Sequence, residues 1–107
     1  MANTYTNAKV DLTTTNVTTL YTCAALTTGI VKSILVSEDS GNADTITATL
    51  TTAAGAVFSL FKVKSVSANA TLELLSAPLV IQTGEILKVN AATANRLHVV
   101  ASILEIT

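Results

Sequence analysis

The chain holds one cysteine, one proline, one histidine and no tryptophan, and its only aromatic residues are Tyr5, Tyr21, Phe58 and Phe61. Each scarcity removes a class of function. Cys23 has no partner for an intrachain disulfide, and its apolar surroundings suit a small core residue better than a reactive thiol. Zinc sites take three or four N, S or O ligands, and His98 has no second nitrogen ligand near it. Among Leu97, Val99 and Val100, His98 reads as a packed, hydrogen-bonded strand histidine rather than a base or ligand. No GxSxG, P-loop or GxGxxG stretch is present, and nothing supports a Ser–His–Asp triad. Charge is also scarce: charged residues make up 12% of the chain, half the typical share of about 25%. The six Lys and Arg are scattered and the net charge is −1, so there is neither a basic stripe nor a set of stacking platforms for nucleic acid. No apolar run approaches the roughly 20 residues that span a bilayer. The opening M-A-N-T-Y-T lacks the basic and apolar regions of a signal peptide, so synthesis in a cytoplasm, with no membrane partner, is the expectation. Without secretion, the glycosylation sequons at Asn16 and Asn69 carry no weight.

What the chain does have is alternation. Residues 44–52 read D-T-I-T-A-T-L-T-T, with Ile46, Ala48 and Leu50 on one face and Thr45, Thr47, Thr49 and Thr51 on the other. A period of two is that of a half-buried strand, and β-branched threonine suits a pleated surface while offering a hydroxyl to water. Further strands are expected at 16–23, 30–37, 57–64, 71–75, 79–81, 86–90 and 96–106, separated by Gly-, Asn- and Ser-containing turns. In 30–37, Ile30, Ile34 and Val36 are placed on one face with Lys32. Pro78 belongs at an edge or outside a ladder. No segment sustains the helical period. The result is a single all-β domain of 107 residues: an antiparallel β-sandwich or jelly-roll-like fold of seven to eight strands. Residues 1–15, rich in Asn and Thr, read as an extended contact arm or a weak edge strand, with Tyr5, Val10 and Leu12 as anchors.

Half of the residues are apolar. Either part of that surface is buried against another chain, or Thr, Ser and Asn replace charges as the solvating groups. Two strands carry apolar residues on both faces. In 57–64, Val57, Phe61 and Val63 oppose Phe58 and Leu60; in 96–106, Leu97, Val99, Ala101 and Ile103 oppose His98, Val100, Leu104 and Ile106. An antiparallel sheet with one wet face does not look like this. A neighbouring subunit covering the outer face is the preferred account, with barrel-like closure as the alternative. Phe58, Leu60, His98 and Val100, together with the three N-terminal anchors, are therefore the candidate protein-interface residues. Glu38, Asp39, Asn42 and Asp44 could offer oxygens to calcium, but their spacing fits no EF-hand loop and reads better as a turn. Glu73, Glu85 and Glu105 form no evident acid–base pair. The expectation is a non-enzymatic protein with no metal or cofactor.

The order of several segments carries a resemblance. These are a Thr-rich stretch ending in T-L-Y-T at 15–22, V-K-S-I-L-V at 31–36 and T-L-E-L-L at 71–75, then A-P-L-V-I-Q-T-G-E-I-L-K-V at 77–89 and H-V-V-A-S-I-L-E-I at 98–106. In this order they resemble small virion structural proteins of tailed bacteriophages, over about nine-tenths of the chain. Glu85 stands where that pattern commonly has Asp. The resemblance implies a β-sandwich in the virion that binds major capsid protein or other virion subunits. Its role would be that of a capsid decoration (cement) protein, or alternatively a tail, neck or fibre-adaptor subunit. It implies no catalytic residues. By analogy with decoration proteins it also implies a homo-oligomer, in the form of a trimer. A carbohydrate- or host-receptor-binding module is the competing class, and the poverty in aromatics weighs against it.

Overall fold

The alternating segments form nine strands in the computed structural model, which describes residues 3–107. They are β1 (Asn3–Asp11), β2 (Thr18–Thr22), β3 (Thr28–Glu38), β4 (Asp44–Thr51), β5 (Val57–Val66), β6 (Thr71–Glu73), β7 (Leu79–Ile81), β8 (Ile86–Ala91) and β9 (Leu97–Ile106). No helix occurs among the described residues. One sheet runs β1-β9-β3-β6, with β7 also pairing β3; the other runs β2-β8-β4-β5. Residues 74–78, with Pro78, separate β6 from β7, and both lie along β3, so they are halves of one interrupted strand. Apart from the β4–β5 hairpin and this break, every connection crosses from one sheet to the other. That is the strand order of a jelly roll, one of the two expected architectures.

The inner faces follow the period of two wherever the ladder is regular. Leu97, Val99, Ala101 and Ile103 of β9 are buried, as are Ile46 and Ala48 of β4 and Leu87 and Val89 of β8. Cys23 is a core residue, and its Sγ lies 3.2 Å from the Thr27 carbonyl oxygen. The face assignment for β3 needs correction. Val31 pairs Ile103 and Ser33 pairs Ser102, leaving Lys32 as an extra residue in the ladder. A bulge of this kind switches the phase of the strand. Val31 is therefore buried with Ile34 and Val36, while Ile30 turns outward to pair Leu104. Two register shifts do the same to β5, and Val63, within the first of them, adopts φ 52°, a conformation β-branched residues rarely enter. Phe58 and Leu60 consequently do not share an outer face. Leu60 is half-buried against the core, and Phe58 is exposed opposite Leu50.

The contact-arm reading also gives way. β1 pairs β9 over nine consecutive residues without a bulge, and Leu12 is 1% exposed in the core. Leu12 N donates to the Leu97 carbonyl at 3.0 Å, and Asn95 N donates to the Leu12 carbonyl at 2.9 Å. An edge strand that turns only Ala8 and Val10 against the core needs few apolar side chains, so a polar sequence can still be a strand. Met1 and Ala2 of the expected arm lie outside the described residues.

The turn after β3 is organised by a buried carboxylate. Glu38 is 2% exposed and accepts hydrogen bonds from the Ser40 hydroxyl, from Ser40 N at 2.8 Å, and from Gly41 N and Asn69 N at 3.0 Å each. Burial pushes the Glu38 carboxyl up, but the donors outweigh it and hold the group at about 2, below the usual 4.5. A lowered folded-state value means that the stabilisation is complete above about pH 4.5 and is lost as pH falls towards 2. The melting temperature is therefore expected to drop between pH 4.5 and 2, and Glu38→Gln should flatten that drop while lowering the melting temperature at neutral pH. A variant with the same acid profile as the native chain would show that another group governs it.

Candidate interaction surface

The register of the five-stranded sheet fixes what its outer face presents, because directly paired residues of antiparallel strands share a face. Five rows cross the sheet. At one end lie Asn3, Ile106 and Thr28, followed by Tyr5, Leu104, Ile30 and Val80. The middle row is Asn7, Ser102 and Ser33. Beyond it come Lys9, Val100, Leu35 and Glu73, and finally Asp11, His98, Ser37 and Thr71. The face is thus banded, with apolar rows alternating with polar ones. Tyr5 is 76% exposed, Val80 52%, Leu35 40% and Val100 38%. A monomer gains nothing by holding four large apolar side chains in water, and contiguous patches of this kind mark contact surfaces. A shallow groove of about 310 Å³ runs along the β1–β9 side of this face, lined by Lys9, Val10, Asp11, His98, Val99 and Val100.

The polar groups bordering the bands are tied to structure. Glu73 sits where β6 ends and β3 would otherwise lack a ladder partner. Its carboxylate accepts from Ile34 N at 2.8 Å, Leu75 N at 3.2 Å and the Ser33 hydroxyl. Burial opposes ionisation of Glu73, but these donors prevail and lower its pKa. Glu73 therefore bridges the gap between the two halves of the interrupted strand. His98 lies between two aspartates, with Nε2 3.2 Å from Asp11 Oδ1 and Nδ1 3.4 Å from Asp39 Oδ2. Both ring nitrogens face carboxylates, and the hydroxyl of the neighbouring Ser37 lies 3.2 Å from the Thr71 hydroxyl. These contacts are exposed and worth little on their own. In the candidate calcium turn, Glu38 is consumed as described, and Asp44 accepts from Thr45 N at 2.8 Å and Thr93 N at 3.1 Å. Among the described residues, no three His, Cys, Asp or Glu side chains group as a metal site. The outer face thus presents apolar bands with a charged border.

A scan against protein-family models finds no match, and a search of curated proteins finds none. Among solved structures, one similar chain belongs to the structure of infectious bursal disease virus, Gt strain. The TM-score is 0.47 at 11% identity, over 98% of this chain and 30% of that one. At that level the likeness carries no functional inference, and this chain spans less than a third of that neighbour's length.

The sequence-predicted interface residues scatter over four environments. Tyr5, His98 and Val100 lie on the banded outer face. Val10 pairs buried Val99, so it turns towards the core and packs on it, and Leu12 is wholly buried; neither projects from the banded outer face. Leu60 lines a cleft of about 240 Å³ between β5 and the β6–β7 break, together with Phe61, Leu74, Pro78 and Leu79. Phe58 lies on the opposite sheet. Ile30, Leu35 and Val80 of the outer face were not predicted. The bulge at Lys32 hides Ile30, and only pairing with β3 brings Val80 into the row.

Proposed function

We propose that the chain is a non-enzymatic structural protein of a virion, a capsid decoration protein that lays the banded outer face of its β1-β9-β3-β6 sheet on neighbouring capsid subunits. The observation that carries this reading is the pair of apolar rows, Tyr5–Leu104–Ile30–Val80 and Val100–Leu35, on the outer face of this sheet. The resemblance of the ordered segments to small phage virion proteins supports the choice of partner. The jelly roll is compatible with it, since that fold recurs in capsid domains as well as in lectins and cupins. Burial of such a face supplies about 25 cal/mol per Å² of apolar area, much of it offset by the cost of association. Repeated attachment on a symmetric lattice makes up the difference, because linked contacts multiply without each being strong.

Val100→Asp and Leu104→Asp place a charge within the bands without touching the core. Each is expected to weaken co-sedimentation with capsids purified without this protein by about 100-fold, the cost of burying an unpaired charge. Phe58→Asp, on the other sheet, should bind as the native chain does. Normal binding by both outer-face variants, or loss of binding by Phe58→Asp alone, would sink the assignment of this face.

A further inference from the structure

The sandwich has four strand edges, and three of them are closed to pairing. β5 is interrupted twice and kinked at Val63. β2 has five residues and a register shift between Thr19 and Tyr21. The third edge is made of two three-residue pieces, β6 and β7, separated by the Pro78 segment. Short strands, bulges and proline are the usual means of blunting an edge. β1 has none of them. It offers nine residues in unbroken register with β9, and among the described residues no further strand lies on its outward side. Its only cation is Lys9 and its only anion Asp11.

The composition of this edge is self-complementary. A twofold axis perpendicular to the sheet keeps the outer face outside, so it pairs residues whose numbers sum to an even value. Centring the axis on Asn7 pairs all nine residues. Asn7 then meets its own copy, Tyr5 meets Lys9 and Asn3 meets Asp11 on the outer face, with Thr6 facing Ala8 and Thr4 facing Val10 on the inner face. A hydrogen-bonding amide sits on the axis, a cation lies beside an aromatic ring, and no like charges oppose each other. Shifting the axis to Lys9 or Asp11 would set like charges against each other, and shifting it to Ala8 or Thr6 shortens the ladder. We propose that β1 pairs antiparallel with β1 of a second copy about a twofold axis at Asn7, joining two five-stranded sheets into one. The bands of both outer faces then form one continuous surface, twice as wide as a single chain presents. This pairing does not depend on the identity of the virion partner.

The test uses the full chain. Asn7→Cys should form a disulfide-linked dimer under mild oxidation, because facing Cα atoms in an antiparallel pair lie about 4.5–5.5 Å apart, within disulfide reach. Asn3→Cys, whose own copy would lie eight residues along the ladder, should stay monomeric. The native Cys23 is buried and should not contribute. Sedimentation of the native chain should show a concentration-dependent dimer. Asn7→Lys should raise its dissociation constant at least about tenfold, and Asn3→Lys, placed opposite Asp11, should lower it. All of these substitutions fall on exposed positions of β1, and circular dichroism identical to native confirms that the fold is kept. A native chain that stays monomeric at millimolar concentration overturns the proposal. So does equal cross-linking by Asn3→Cys, or an oligomer indifferent to Asn7→Lys.

Discussion

A chain lacking residues 1–12 is expected to lose its cooperative fold. The deletion removes β1, which covers one side of β9 along nine residues, and with it Leu12, whose side chain is wholly buried and whose amide and carbonyl bond to Leu97 and Asn95. β9 suffers most, because it lies between β1 and β3 and contributes Leu97, Val99, Ala101 and Ile103 to the core. Stripped of β1, it becomes an open edge ten residues long that carries apolar side chains on both faces. Loss of Leu12 alone is worth roughly 2–5 kcal/mol as a Leu→Ala change, and small domains have only about 5–15 kcal/mol in total. Adding the lost ladder and the uncovered Ala8 and Val10 contacts exceeds that reserve. Thermal melts of the truncated chain should show no sigmoidal transition, and Leu12→Ala should melt cooperatively at a clearly lower temperature. A truncated chain that melts within about 1 kcal/mol of the full chain would restore the reading of this segment as an arm.

That the segment could be taken for an arm shows where the sequence is informative and where it is not. Residues 44–51 and 97–106 announce their faces, because each strand keeps its own period of two: the extra residues in the β4–β5 ladder fall in β5, and β9 lies opposite the bulge in β3. β3 and β5 do not, since Lys32 in one and the irregular stretch through Leu60 and Val63 in the other shift the phase partway along, and a one-residue shift turns every later side chain over. β1 is obscure for a different reason: a strand paired on one side and touching the core through two residues leaves little apolar signature. The jelly-roll order rests on pairs such as Tyr5 with Leu104, about a hundred residues apart in sequence, which no local pattern can encode. The candidate surface shares this limit. The outward residues of β9, including Val100, were readable from alternation, whereas their neighbours Ile30, Leu35 and Val80 join them only through register. The structural carboxylates were equally hidden, since Glu38 and Glu73 act on backbone amides that become unpaired only once the strands have formed.

Gly29→Val is expected to destabilise the domain by roughly 3 kcal/mol or more, although glycine here adopts no unusual backbone conformation. Its role is to leave room. A Cβ at position 29 would lie 2.9 Å from the Tyr21 hydroxyl oxygen and 3.0 Å from its Cε2, so the ring could not keep its place. Tyr21 reaches across from the other sheet, and its hydroxyl donates to Glu105 Oε2 at 2.6 Å, closing this end of the sandwich. Burial first, and then the hydrogen bond to Glu105, push the tyrosine hydroxyl above its ordinary range, so the contact persists through neutral and mildly alkaline pH. Overpacking a well-filled site costs about 1–3 kcal/mol, and displacing the ring also gives up a charge-assisted hydrogen bond worth roughly 1.5–3 kcal/mol. If the steric account is right, the two sites must be coupled. Tyr21→Ala alone should cost roughly 3–5 kcal/mol by analogy with Phe→Ala, yet in a Tyr21→Ala background Gly29→Val should cost far less than in the native chain, because the space is already vacant. A double-mutant cycle by urea unfolding reads this directly. Additive losses would mean that Gly29 matters for its backbone and not for the tyrosine that lies over it.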